Sequence, residues 1–159
     1  MDRDNTFVFW ILGAGALLWW LLSSNTGTGG AMTGADKIQA WAQAIADFES
    51  GGDPNALNYR NNNPGNLKYA GQVNATGQDS RGFAVFPTMQ DGWNALVAQL
   101  DKYVRVHPDY SLLQLTTLYL GGNPNAPVVT GEGNPFTYAQ SVAAKLGVSV
   151  NDTLRQIFG

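Results

Sequence analysis

Hydrophobic and polar residues follow helical spacing over much of the chain, which predicts a mostly helical domain. Apolar residues recur every three to four positions over residues 91–106, the pattern of an amphipathic helix with one core-facing side. A second amphipathic helix is predicted over residues 36–49. The intervening residues 58–92 lack this period, and two short strands are predicted there, over 67–69 and 83–86. The expected fold class is therefore α+β, mostly helical, with a small β element after the first helix.

Capping residues predict three further helices in the C-terminal half. Ser111 is a suitable N-cap for a short helix that extends to Leu120. Pro135 suits the first position of a helix that Gly147 ends, because proline is preorganised for a helix start and glycine for its stop. A last short helix is predicted over residues 151–158.

The N-terminal segment is apolar and long enough to span a membrane. Residues 7–22 carry no charge, and with their uncharged neighbours they approach the roughly 20 residues that a spanning helix needs. Trp10, Trp19 and Trp20 lie toward its ends, where aromatic residues favour the interface. A cleaved signal peptide and a buried core helix are the alternatives. The acidic start and the bulky end disfavour cleavage, so a transmembrane helix is predicted at residues 7–24.

The membrane segment divides the chain into four parts. Residues 1–6 form an N-terminal tail, and residues 25–35 are a flexible linker rich in Gly, Ser and Thr. The main domain occupies residues 36–159. Arg3 precedes the apolar segment and no basic residue follows it before Lys37. The positive-inside rule therefore predicts that the N-terminus lies inside and the main domain outside.

Composition excludes several classes of function. The net charge is −3, the pI is about 4.8, and there is no run of basic residues, so nucleic acid is not expected as a partner. The chain has no cysteine, and its single histidine, His107, has no companion suited to ligate a metal. Neither a metal nor a cofactor is expected.

Glu49 is the strongest candidate for chemistry. On a helical wheel it shares the apolar stripe of Trp41 and Ile45, whereas Asp47 falls on the opposite face. Burial and the negative end of the helix dipole both favour the protonated form and raise the pKa of this carboxyl group. A carboxylic acid that stays protonated near neutral pH suits general acid catalysis. The alternative is that the helix stops before Glu49 and its side chain faces water.

An ordered series of short motifs resembles the lysozyme superfamily, in particular its lytic transglycosylase branch and the lysozyme-like domains of phages and prophages. The resemblance covers about residues 38–153. The motifs are FESGG at 48–52, RNNNPGNL at 60–67, GFAVF at 82–86, DGW at 91–93, FTYA at 136–139 and LGV at 146–148.

This resemblance implies a peptidoglycan-cleaving enzyme. Glu49 would protonate the β-1,4 glycosidic oxygen between N-acetylmuramic acid and N-acetylglucosamine, and would then act as the base. In a lytic transglycosylase the muramic C6 hydroxyl attacks C1 and leaves a 1,6-anhydro end. The implied partners are peptidoglycan glycan strands, the lipid bilayer that holds the N-terminal helix, and other virion proteins. The implied location is a phage virion membrane or the host envelope, with a role in wall penetration or host cell lysis.

The resemblance also suggests the residues around Glu49. Asn63, Asn66 and Tyr69 would border a sugar-binding groove, and Tyr138 would direct its hydroxyl toward Glu49. Amide side chains can donate to and accept from hydroxyl and N-acetyl groups. The alternative for the asparagines is that they satisfy the backbone of a turn-rich loop.

A hydrolase would need a second carboxylate at a set separation from the first. Asp79 is the best candidate, followed by Asp53 and Glu132, although each also fits a solvated loop acid. The lack of a stronger candidate favours transglycosylase chemistry. The competing hypothesis is a non-catalytic glycan-binding protein or structural virion membrane protein that retains the lysozyme-like fold. The acidic pI is consistent with it, because the wall polymer is itself anionic.

Overall fold

A computed structural model describes residues 32–51, 53, 55–126 and 135–159. The predicted tail (1–6), transmembrane helix (7–24) and most of the linker (25–35) lie outside these ranges. Within the described residues, no helix combines the length and the apolar character needed to cross a membrane. Residues 32–159 form one compact unit with a single main core.

The described chain contains six helices and two short strands. In order they are α1 (Gly34–Ser50), α2 (Leu57–Arg60), β1 (Gly77–Gln78), β2 (Ala84–Val85), α3 (Met89–Val106), α4 (Leu112–Tyr119), α5 (Pro135–Leu146) and α6 (Leu154–Phe158). The strands form an antiparallel pair with Gly77 opposite Val85 and Gln78 opposite Ala84. The expected α+β class with mostly helical content is confirmed.

Helix α1 includes Glu49 and ends one residue after it, at Ser50. Thr33 begins it with a capping box, in which its side chain and that of Asp36 each bind the other residue's backbone. Gly51 ends it in the left-handed conformation, with φ 55°. Glu49 therefore lies in the last turn, and the alternative in which the helix stops before it does not occur.

The remaining predicted helices are present with small shifts at their ends. Helix α3 starts two residues earlier than predicted because Thr88 caps it. Ser111 caps α4 through a capping box, α5 begins at Pro135, and Gly147 follows its end with φ 67°. Helix α6 starts later than predicted because Thr153 is its N-cap.

The region between α1 and α3 differs from the prediction. Residues 67–69 do not form a strand, and only an isolated bridge joins Lys68 to Phe83. Strand β1 instead lies at 77–78, and α2 was not predicted at all. The physical reason is that the Leu67 N–H bonds to the Asn63 side chain rather than to a neighbouring strand, directly after the left-handed backbone of Asn66 (φ 46°).

The core is formed where α1 packs against α3, α5 and α6, and where α4 packs against α5. Its fully buried large side chains include Trp41, Ile45, Leu96, Leu100, Leu112, Leu115, Tyr138, Val142, Leu154 and Ile157. This core fixes the two helices, α1 and α5, that carry Glu49 and Tyr138.

The loop of residues 61–66 approaches α3 and α4 so closely that two glycines are required. A Cβ on Gly92 would collide with the backbone carbonyl oxygen of Asn62. A Cβ on Gly65 would stand 2.7 Å from a Leu96 methyl carbon and 2.8 Å from the Tyr119 hydroxyl. These contacts anchor the loop on the helical core and thereby set the position of Asn66.

Candidate active site

Glu49 is half-buried at the end of α1 and is held by two side chains from distant parts of the chain. The Asn66 amide nitrogen Nδ2 donates to Glu49 Oε2 at 2.9 Å. The Tyr138 hydroxyl donates to Glu49 Oε1 at 3.4 Å, a long and therefore weak hydrogen bond. The structure thus brings together three of the site residues that the sequence suggested.

The pKa of Glu49 is raised above its ordinary value of 4.5, and burial is the main cause. The hydrogen bonds from Asn66 and Tyr138 act in the opposite direction, because they stabilise the ionised carboxylate. The carboxyl group is therefore biased toward its protonated form, while two donors remain in place for the anion. This combination suits a group that gives up a proton and later takes one back.

Asn66 reaches Glu49 from a strained turn. Its backbone is left-handed, a conformation that asparagine tolerates better than most residues, and its N–H bonds to the Asn63 carbonyl at 3.0 Å. Its side-chain oxygen Oδ1 is buried and finds no hydrogen-bond partner among the described residues. A buried acceptor without a hydrogen-bond partner carries a free-energy cost. We interpret this Asn66 oxygen as part of the candidate active site.

Tyr138 and Tyr119 form the aromatic side of the site. Tyr138 is 1% exposed, and its ring lies 4.3 Å from that of Phe48 and 6.0 Å from that of Tyr119. Burial raises the pKa of both tyrosines well above the ordinary value, so both hydroxyls stay protonated and act as donors. The negative charge of Glu49 contributes to each shift.

Tyr119 was missed by the sequence analysis. Its hydroxyl donates to the Gly65 carbonyl at 2.6 Å and so fixes the peptide unit directly before Asn66. The two residues are 54 positions apart, and no local pattern in α4 distinguishes Tyr119 from an ordinary core tyrosine. The proline and glycine of the 63–66 turn were the available signal that something must pack against it.

Asn63 lies inside the loop rather than on a groove. Its side chain is fully buried and donates to the carbonyls of Leu67 and Ala84, each at 2.9 Å, while its oxygen accepts the Leu67 N–H at 2.9 Å. This placement corresponds to the alternative in which an asparagine satisfies the local backbone. In this conformation Asn63 has no surface to offer to a sugar.

Tyr69 is on the surface of the β region. Its side chain is 41% exposed, and its backbone N–H donates to the Gly82 carbonyl at 2.9 Å. The Tyr69 hydroxyl makes no hydrogen bond within the described chain, so the ring is free to contact a ligand.

Asp79, the predicted second carboxylate, stabilises the turn between the two strands. Its oxygens accept hydrogen bonds from the Arg81 and Phe83 N–H groups and from the Asn61 amide, each at 2.9 Å. The Asn61 bond is the main cause of a lowered pKa. Asp79 is therefore an ionised turn residue whose hydrogen bonds do not involve Glu49.

Of the other two candidate acids, the structure describes only Asp53. Asp53 accepts the Asn55 N–H at 2.8 Å and is a turn residue. Glu132 lies outside the described residues.

His107 stacks on Tyr110 with ring centroids 4.5 Å apart. In the described ranges no group of three or more His, Asp or Glu residues is arranged to hold a metal.

Comparison with known proteins identifies no relative: no family model, curated protein or solved structure matches the chain. The function is therefore argued from the chemistry of Glu49 and its neighbours.

Proposed function

We propose that the protein is a lysozyme-like lytic transglycosylase that cleaves the β-1,4 bond between N-acetylmuramic acid and N-acetylglucosamine in peptidoglycan. One observation carries the proposal: a half-buried Glu49 with a raised pKa is held between the Asn66 amide and the Tyr138 hydroxyl. The order of motifs along the chain, which resembles that branch, supports it.

The geometry accommodates both halves of the reaction. Protonated Glu49 donates its proton to the glycosidic oxygen, the bond from that oxygen to C1 breaks, and the sugar develops oxocarbenium character. The Asn66 and Tyr138 donors stabilise the carboxylate that remains. Glu49 then removes the proton from the C6 hydroxyl of the muramic residue as that oxygen bonds to C1. The products are a 1,6-anhydro end and a protonated Glu49.

The electrostatic environment favours this route over hydrolysis. In the described part of the chain, no second carboxylate contributes to the pKa shift of Glu49. Asp79 is engaged in the strand turn. A single carboxyl group suffices when the N-acetyl group of the substrate assists departure of the leaving group and the attacking hydroxyl belongs to the substrate itself.

The N-terminal segment determines where the enzyme would act. Its uncharged residues 7–22 fit a transmembrane helix, and the linker over 25–35 would tether the domain at a membrane surface. We propose a phage-encoded protein whose catalytic domain faces the wall from a virion membrane or the host envelope. Its role would be wall penetration or lysis.

The test is digestion of purified peptidoglycan with the full chain in detergent, followed by mass spectrometry of the fragments. Glu49→Gln is the inactive variant, and Asp47→Asn is the matched control because it removes one charge from the exposed face of the same helix. We expect anhydromuropeptides from the wild type and the control but not from Glu49→Gln.

Two other results would refute parts of the proposal. Reducing-end fragments would establish a hydrolase. Wall binding without products, in a folded protein, would establish the non-catalytic glycan-binding or structural alternative.

A further inference from the structure

Positive charge is concentrated in the segment that follows the Glu49 helix. Residues 55–88 contain three basic residues, Arg60, Lys68 and Arg81, and one acidic residue, Asp79. The chain as a whole has 9 basic and 12 acidic residues. The loop and strand region is thus locally positive within an acidic protein.

The basic residues of this segment make no ion pair in the part of the chain that the structure describes. Among the described residues, ion pairs join Arg105 to Asp101, Lys145 to Asp47 and Arg155 to Asp109. None of them involves a basic residue of the 55–88 segment. A charged group on a folded surface without an opposite charge in contact is available for a ligand.

Lys68 and Arg81 are held side by side around one aromatic ring. The Lys68 ammonium lies 3.6 Å from the centre of the Phe83 ring, and the Arg81 guanidinium carbon lies 5.9 Å from it. Lys68 Nζ also donates to the Arg81 carbonyl at 2.9 Å. Both side chains are exposed. We call this pair the Lys68/Arg81 patch.

The patch keeps a net positive charge despite the nearby Asp79. Arg81 lowers the pKa of Asp79 slightly, which shows that the two charges interact. The Asp79 oxygens, however, are occupied by the Asn61 amide and by two backbone N–H groups of the turn. One carboxylate against two cations leaves a surplus, and repulsion between like charges is relieved when an anion binds between them.

The patch is close to the proposed catalytic group along the chain. Lys68 is two residues beyond Asn66, so their Cα atoms are at most about 7 Å apart. Asn66 itself contacts Glu49. Tyr69, with its exposed ring, is adjacent to Lys68. The patch therefore belongs to the same loop and strand region as Asn66, the residue that contacts Glu49.

We propose that the Lys68/Arg81 patch binds carboxylates of the stem peptides that branch from the glycan strand. The inference rests on the proposed function and adds the part of the substrate that this surface recognises. The stem peptide is attached at the muramic residue and carries free carboxylates, which match the two exposed cations in charge. The patch also explains how an acidic protein associates with an anionic wall.

The test measures binding without cleavage, in the Glu49→Gln background of the full chain in detergent. The probe is soluble peptidoglycan fragments, free of phosphate polymers, titrated by calorimetry at low salt. Fragments with intact stem peptides are compared with fragments from which an amidase has removed them. The patch variant is Lys68→Gln/Arg81→Gln, and the control Lys102→Gln/Arg105→Gln removes the same charge from α3.

We expect the patch variant to bind peptide-bearing fragments about fivefold more weakly than the control, with the difference vanishing at high salt. Peptide-free fragments should bind both variants equally. The charge-preserving exchange Lys68→Arg/Arg81→Lys should stay within roughly twofold of the parent, which separates loss of charge from loss of fold.

Two results would overturn this proposal, and a third would refute the proposed function. Equal affinities of the patch variant and the control for peptide-bearing fragments would overturn the proposal. An equal loss with peptide-free fragments would also overturn it, because it would assign the patch to the muramic lactyl carboxylate. If the Glu49→Gln parent bound no fragment at all, the proposed function itself would fail.

Discussion

The Asn66 side chain donates to the Glu49 carboxyl group at 2.9 Å while its own oxygen stays buried and unpaired in the described structure. The loop thus presents both a donor and an acceptor beside a carboxyl group that alternates between two protonation states. Because the donor stabilises the ionised form more than the neutral form, Asn66 limits how far burial raises the pKa of Glu49.

Replacement of Glu49 by Gln should stabilise the fold at neutral pH. The folded state raises the pKa of Glu49 above 4.5, so ionisation is costlier in the folded than in the unfolded chain. The Glu49 contribution to wild-type stability is therefore fully present below about pH 4.5 and is lost as the pH rises through the folded-state pKa. The stability difference between Glu49→Gln and wild type should grow over the same interval.

Thermal unfolding of both proteins across that pH range checks the prediction. Asp47→Asn, on the exposed face of α1, is the control that removes one charge from the same helix. A Glu49→Gln variant that is less stable than wild type at neutral pH would contradict the burial argument.

Replacement of Asn66 by Asp should raise the apparent pKa of the pair that it then forms with Glu49. The new side chain has the same shape and tolerates the left-handed backbone, but it exchanges a donor for a second carboxyl group. Two adjacent carboxyls share a proton, so ionisation of the pair is delayed to higher pH.

The pH dependence of peptidoglycan cleavage provides the measurement. The loss of activity on the alkaline side should shift to higher pH. Asn66→Gly keeps the backbone conformation and removes the donor without adding a charge, so it measures the effect of losing the donor alone. An Asn66→Asp profile that coincides with the wild-type profile would exclude electrostatic coupling between the two side chains.

The two buried tyrosines should differ in their contribution to stability. Tyr119→Phe leaves the Gly65 carbonyl without its 2.6 Å hydrogen bond, which should cost about 1–3 kcal/mol. Tyr138→Phe removes only the 3.4 Å contact with Glu49 and should cost less. Chemical denaturation of both variants gives the comparison. Equal losses would mean that the Gly65 bond has no special role in the loop.

Asn63→Ala should destabilise the domain without a specific effect on sugar binding. The substitution removes three buried hydrogen bonds to the backbone of Leu67 and Ala84, at a cost of about 2–4 kcal/mol. Asn94→Ala on the exposed side of α3 is the control and should change stability by less than about 0.5 kcal/mol. A well-folded Asn63→Ala variant with weakened glycan binding would contradict this prediction and support a role for Asn63 in the sugar-binding groove.

The helices could be predicted from sequence because their signals are local. Apolar spacing located α1 and α3, and Ser111, Pro135 and Gly147 located the ends of the later helices. The same spacing placed Glu49 among buried residues in the last turn of α1, where it is half-buried in the structure. Such signals need only a few neighbouring residues.

The loop and the site could be predicted only in part because their contacts are long-range. Residues 67–69 have strand composition, but the left-handed Asn66 limits them to a single bridge. The hydrogen bond from Tyr119 to Gly65 joins positions that no local pattern connects. Asp79 was predicted to be the second carboxylate because it precedes a strand. In the structure, that position makes it an acceptor for the backbone N–H groups of the turn.

Two of the side chains at the site, Asn66 and Tyr138, lie 17 and 89 residues after Glu49 in the sequence. No single helix or loop contains the complete arrangement, so it assembles only when α1, the loop and α5 have all docked on the common core. The protonation behaviour of Glu49 is consequently a property of the cooperative folded state. As that state opens, the carboxyl group regains water, and its proton affinity returns to that of an ordinary glutamate.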